Sequence, residues 1–219
     1  MAANFQPAMA ALQAAFEAKS GHQLTVSVGS TGKLFAQIAN GAPYDVLLAA
    51  DEARPARLEA EGLAVDGSRF TYATGQLVLW SPKPDVIPDG DGLGVLQAAN
   101  FRRLAIANPL LAPYGLAAEQ TLQSLGLAEA LSGRLVIGQN IGQAYALVAT
   151  GNAEFGLIAH SLLPPAREDS HWPVPPDLHA PIRQDAVLLQ RGADNAAALA
   201  FLAFLKSPEA QDILSQNGY

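Results

Sequence analysis

What most constrains this chain is the way short apolar runs and helix-period segments take turns along it. Phe5, Met9, Leu12 and Phe16 stand 4, 3 and 4 residues apart. That spacing lays them on one face of a helix, which Gly21 can end. "LTVSV" (24–28) alternates apolar and polar as a half-buried strand does. Leu34 and Ile38 share the next helix face, up to Gly41. "DVLLAA" (45–50) has the character of a buried strand, with Asp51 placed to cap a helix through Leu58 to Gly62. "QLVLW" (76–80), "RLAIA" (103–107), "RLVIG" (134–138), "FGLIA" (155–159) and "DAVLLQ" (185–190) read as further strands. Helices are predicted over 116–125 and 143–150. The end is helical through "NAAALAFLAFLKS" and "SPEAQDILSQNGY", with Pro208 near the start of the last helix. Residues 82–94 form a Pro/Asp/Gly-rich loop, and the six prolines within 164–181 predict an irregular surface segment. Strands alternating with helices imply an α/β fold with mostly parallel sheet.

Composition removes several classes of function. The 219 residues are 50% hydrophobic and 15% charged, enough for one large domain or two small ones. There is no cysteine, which excludes disulfides, zinc thiolates and thiol nucleophiles. The net charge of −7, with no basic run, argues against nucleic acid and anionic membranes as partners. No apolar run approaches the ~18 residues of a membrane span. No signal peptide precedes Ala2, as is expected of a mature or recombinant form.

The sharpest motif is "VGSTGKLFAQIANGAPYD" (28–45), a glycine-rich turn opening onto a helix. A nucleotide phosphate loop needs glycine five residues before the Gly-Lys pair and Ser or Thr after the lysine. Here those places hold Ser27 and Leu34, so both tests fail. Two readings remain open: Ser30 or Thr31 caps a helix, or the turn binds another anion. The second gains from recurrence. Ala3-Asn4, Ser30-Thr31, Pro113-Tyr114-Gly115 and Asn140-Ile141-Gly142 all put small or amide residues where a helix begins. Helix N-termini carry unpaired N–H groups and partial positive charge, which suit an oxyanion.

"AANFQPAM", "GSTGKLFAQIANGAPYDVLLAADEARPARL", "ANPLLAPYG" and the ending "FLKSPEAQDILSQNGY" resemble the periplasmic molybdate-binding proteins of ABC importers. The resemblance runs over nearly the whole chain. It implies the two-lobed type II periplasmic binding protein fold, with sheets flanked by helices and a ligand cleft between lobes. The chain would cross between lobes near Gly75–Leu79 and Gln184–Val187, giving one lobe of residues 1–77 and 186–219 and another of 78–185. The oxyanion would be held by Asn4, by Thr31 with Ser30 beside it, by Tyr114 and by the main chain at Ile141. Some relatives add a tyrosine after the strand equivalent to "FGLIA"; here that place is Ala159. The family also has a strand ahead of the Ala-Ala-Asn segment, a position that falls before Met1.

Other constellations carry less. His22, His160, His171 and His179 lack metal-ligand spacing, so no metal site is expected and the histidines read as structural or solvated. Asp51-Glu52 reads as a cap and Glu168-Asp169 as a solvated turn. Trp80 belongs to a core, and Lys33 to a solvated helix surface. No Gly-x-Ser-x-Gly elbow is present. The expectation is a periplasmic, monomeric substrate-binding protein without cofactor or enzymatic activity. Its ligand would be molybdate or tungstate, and its partner a membrane ABC permease. The rivals are a binding protein for sulfate or another small anion, the ligand-sensing domain of a regulator and, remotely, a phosphoryl- or acyl-transfer enzyme.

Overall fold

The computed structural model describes residues 1–163 and 171–219. The chain divides into two compact units, Met1–Gly75 with Arg183–Tyr219, and Gln76–Ile182. In chain order the first stretch holds α1 (Gln6–Ser20), α2 (Thr31–Ala39), β1 (Val46–Leu48), α3 (Ala53–Ala60) and β2 (Phe70–Gly75). Then come β3 (Leu77–Trp80), α4 (Gly92–Ala98), β4 (Leu104–Ala107), α5 (Pro113–Ser124), α6 (Ala128–Leu131) and β5 (Leu135–Gly138). The remainder is α7 (Ile141–Ala149), β6 (Phe155–Ala159), β7 (His171–Pro173), β8 (Ile182–Leu188), α8 (Ala196–Leu205) and α9 (Pro208–Gln216). Among the described residues no helix is long and apolar enough to cross a membrane.

In the first unit a three-stranded sheet, ordered β1-β8-β2, separates two cores. Successive strand residues point to opposite faces, and the partition follows that period. Leu48, Ala186 and Leu188 join Phe5, Leu12 and Phe16 of the N-terminal segment and Phe201, Leu205 and Leu214 of the two C-terminal helices. Leu47, Ala49, Val187 and Leu189 join Leu34, Ile38 and Leu58 under α2 and α3. Fully burying each such side chain contributes about 1.5–3 kcal/mol. The Phe5, Met9, Leu12, Phe16 face is the buried face of α1, and Gly21, at φ 73°, ends the helix by donating to Glu17 O.

The second unit is a five-stranded sheet, ordered β5-β4-β6-β3-β7. β4 is parallel to both β5 and β6, whereas β3 pairs antiparallel with β6 and β7. In the first unit β1 and β8 are antiparallel. The α/β class stands, and the sheet of the second unit is mixed rather than mostly parallel: its parallel ladders lie where helices α5 and α7 connect the strands. From β4 the chain crosses to β5 on one side and then returns past β4 to β6 on the other. Right-handed crossovers in opposite directions put α5 and α7 on opposite faces of the sheet.

Several local expectations need correction. Residues 24–28 form no ladder. Only Gly29 is bridged, in parallel, to Ala2, and Leu24 is held by α1 side chains, donating to Glu17 Oε1 and accepting from Gln13 Nε2. The alternation was there, but a strand also needs a neighbour. The strand Phe70–Gly75 went unread, as did α4, whose Gly92 and Gly94 look like loop; Asp91 caps it by accepting from Gly94 N. Within 164–181, residues 164–170 and with them Glu168-Asp169 lie outside the described residues. His171–Pro173 form an edge strand opposite Val78–Trp80, which allows a proline. Asp51 does accept from Arg54 N at the start of α3, and Trp80 is fully buried.

One contact ties helix placement to a single residue. A Cβ built on Gly115 would lie 2.4 Å from the carbonyl oxygen of Ala107, so only glycine lets α5 start this close to the end of β4. Gly115→Ala should force backbone to move and lower stability by about 1–3 kcal/mol. Urea unfolding followed by circular dichroism measures this directly, and an unchanged midpoint would refute the close-approach requirement.

Candidate oxyanion half-sites

In the first unit a short parallel contact sets the geometry. Gly29 N donates to Met1 O at 3.2 Å and Ala3 N to Gly29 O at 3.0 Å. This lays the 3-10 turn Ala3–Phe5, which carries Asn4, alongside the turn that opens α2. Ser30 and Thr31 then divide two tasks. Ser30 is the N-cap, extended at φ −73° and ψ 149°, and its Oγ accepts from Lys33 N at 3.3 Å. Thr31 Oγ1 accepts from Ala50 N at 3.0 Å. A hydroxyl has one proton to give, and accepting from Ala50 fixes the oxygen while leaving that proton to donate. Thr31 is buried, as are Ser30 and Gly32. Among the described residues the main-chain N–H groups of Thr31 and Gly32 meet no acceptor, the usual state of the first helical turn. Lys33 is exposed, as its sequence position suggested.

Asn4 is fully buried. Its Nδ2 donates to Gln184 Oε1 and to Tyr219 Oη, both at 2.8 Å. Beside Gln184 lies the buried carboxylate of Asp185, which accepts from Arg69 Nη1 at 2.6 Å and from Thr71 Oγ1 at 2.7 Å. The bond from Asp185 is the main reason the Arg69 guanidinium is held above its ordinary pKa. The negative charge of Asp185 is thereby paired.

The second unit offers two more helix starts. β4 and β5 run parallel with Ala107 opposite Gly138, and Asn108 N donates to Gly138 O at 2.8 Å. The helices that follow, α5 and α7, therefore begin at the same end of the sheet. Carboxyl ends of strands where the chain reverses direction are the usual ligand position in such sheets. Pro113 opens α5 with the φ a helix needs and no N–H of its own, and Tyr114 follows it, buried. At α7, Asn140 Oδ1 accepts from Gln143 N at 2.9 Å while Gln143 Oε1 accepts from Gln139 N at 2.6 Å. This reciprocal cap leaves the N–H groups of Ile141 and Gly142 without an acceptor among the described residues. None of α2, α5 and α7 carries an acidic residue in its first turn, so nothing on the helix itself offsets the positive end of its dipole.

The structure thus brings Asn4, Ser30 and Thr31 together in one unit, and Tyr114 and Ile141 at one sheet end in the other. Grooves of about 430 Å³ in the first unit and 450 Å³ in the second are lined by other residues. Ala159 closes β6, fully buried. The His160 and His171 rings stand 5.3 Å apart, yet no group of three His, Asp or Glu able to hold a metal exists among the described residues. Sequence reading missed Tyr72, Gln184 and Tyr219, the partners behind Asn4. Gln184 and Asp185, two buried polar residues entering an apolar strand, were a signal that could have found one of them.

Comparison with known proteins identifies the family. The model of the bacterial extracellular solute-binding protein family matches residues 1–219. The molybdate-binding protein ModA of Azotobacter vinelandii is 49% identical over 222 residues, covering 100% of this chain and 87% of that protein. ModA of Rhodobacter capsulatus is 47% identical over 219 residues, covering 100% and 86%. The solved structure of the Azotobacter vinelandii periplasmic molybdate-binding protein superposes with a TM-score of 0.94 at 41% identity, covering 100% of this chain and 96% of that one. The full-length family match and these relatives lead to one conclusion: this chain belongs to the bacterial extracellular solute-binding proteins.

Proposed function

We propose that this protein captures molybdate, or the near-equivalent tungstate, in the periplasm and as a monomer delivers it to an ABC permease. It is a binding protein, not an enzyme. The proposed contacts are the Thr31 hydroxyl, main-chain N–H groups of the Ser30–Gly32 turn, the main chain at Asn4, and the helix starts at Tyr114 and Ile141. The observation that carries this reading is the Thr31 hydroxyl, buried, fixed by Ala50 and grouped with two open N–H donors. Buried polar groups are nearly always satisfied, so such a cluster suits an acceptor from outside the chain. The likeness to molybdate-binding proteins over the whole chain supplies its identity.

Donors alone determine which anion fits. Burying a dianion costs several kcal/mol of hydration, and each charge-assisted hydrogen bond returns roughly 1.5–3 kcal/mol. These bonds weaken quickly outside about 2.7–3.2 Å, so donors in fixed positions match one anion radius. Molybdate and tungstate are nearly equal in size and larger than sulfate. Calorimetric titration should therefore show the first two binding alike and sulfate at least about tenfold more weakly. Phosphate should fail too, because it retains a proton near neutral pH and the site has no acceptor for it. Equal or tighter sulfate binding would refute the molybdate assignment.

Thr31 and Lys33 separate dipole from charge. Thr31→Ala removes one donor and should weaken molybdate binding by at least about tenfold, or ~1.4 kcal/mol. It also strips Ala50 N of its acceptor, at about 1–3 kcal/mol of stability. Thr31→Ser keeps both bonds and should recover both losses. Lys33→Gln should cost less than about tenfold, since an exposed charge is screened by salt. Loss of binding in Lys33→Gln with Thr31→Ala unaffected would mean that charge holds the ligand.

A further inference from the structure

Asn4 is clamped from two distant parts of the chain. Tyr219 Oη accepts from Asn4 Nδ2 at 2.8 Å and donates to Asn4 O at 3.1 Å, so one hydroxyl holds both the side chain and the main chain of the turn. Gln184 Oε1 accepts the second Nδ2 proton at 2.8 Å. It also lies 3.1 Å from Tyr72 Oη, which in turn is 3.0 Å from Ala49 O. An amide has two N–H protons, and here both are directed into the protein. Turning the amide over would press Oδ1 against Gln184 Oε1 unless Gln184 turned as well. Beneath the turn, the Phe5 ring packs edge-on against Tyr72 at 4.8 Å and against Tyr219 at 5.5 Å.

We propose that Tyr219 and Gln184 are positioning residues for the anion contact made by the main chain at Asn4, both protons of its amide being taken up within the protein. They hold the Ala3–Phe5 turn in register with the Thr31 turn, and so set the anion radius that this half-site accepts. The proposal rests on the reading that Asn4 contacts the oxyanion. The clamp acts on both ends of Asn4, so loosening it spreads the donor position over a wider range. A spread of that kind should harm the anion of matching size most and the poorly matched one least. Loss of affinity should therefore come with loss of selectivity, which a merely structural bond would not produce.

Two isosteric variants separate positioning from stability. Tyr219→Phe keeps the ring against Phe5 and removes both bonds to Asn4. Tyr72→Phe keeps its ring too and removes the bonds to Gln184 and Ala49, leaving Asn4 both of its acceptors. Each is titrated with molybdate and sulfate, and its melting temperature is measured. Tyr219→Phe should weaken molybdate binding by roughly tenfold, the effect of a well-made hydrogen bond, and narrow the molybdate-to-sulfate ratio. Tyr72→Phe should stay within about threefold with the ratio unchanged, even if its melting temperature falls as far. Equal changes in the two variants, or an unchanged ratio in Tyr219→Phe, would overturn the proposal. If the wild-type protein prefers another tetrahedral oxyanion, the molybdate reading fails, and the ratio of that anion to its next-best rival tests Tyr219 in the same way. Wild-type protein that binds no oxyanion overturns both.

Discussion

Unpaired N–H groups at the start of a helix are the constraint on which this structure turns. A helix leaves its first four donors without partners, and burying a donor without an acceptor costs about 1–3 kcal/mol. The chain resolves only part of that cost internally. At α2 and α7 a side-chain oxygen from the N-cap, Ser30 or Asn140, takes the N–H three residues on. In both cases the N-cap carbonyl takes the next, at Leu34 and Ala144. Among the described residues, Thr31 and Gly32 in one helix and Ile141 and Gly142 in the other then meet no acceptor. Capping and anion binding are therefore not rival explanations of the glycine-rich turn. The cap consumes the inner donors and aims the outer ones.

Much of the fold could be read because its signals are local. The face of α1, its end at Gly21, the cap at Ser30 and the buried strands β4 and β6 each follow from residues within a few positions of one another. What failed depended on partners remote in sequence. "LTVSV" has the period of a strand, but whether it joins a ladder is decided by what lies beside it, and here that is Met1–Ala3 at one end only. His171–Pro173 pairs with residues more than ninety positions earlier, so its prolines misled a local reading. In α4 two glycines hid a helix whose buried Leu96 and Asp91 cap were both in plain view.

The candidate site divides along the same line. Thr31, Tyr114 and Ile141 sit at strand-to-helix junctions, which a sequence marks with glycine, proline and amide residues. The second layer has no such mark: the bonds from Asn4 span 180 residues to Gln184 and 215 to Tyr219. They arise only because β8 and the end of α9 return to the unit that the N-terminus begins. A residue such as Tyr219 is visible as functional only once the fold closes over it.

Formal charge is kept out of the half-site in the first unit, and this bears on how it selects. Lys33, the one cation in the turn, is exposed, and Asp185, fully buried, is bound by Arg69 and Thr71. A flexible lysine can follow an anion of any radius, and its point charge rewards net charge above shape. Peptide dipoles fixed at a helix start cannot follow, because each donor's position is set by the sheet and the cap behind it. A protein carrying a net charge of −7 draws a dianion in only through such local dipoles, against its overall field. Affinity then depends on donors already standing at the anion's surface before it arrives. On the proposed reading, the rigidity of the supporting hydrogen bonds, from Ala50 to Thr31 and from Tyr219 to Asn4, is part of recognition itself.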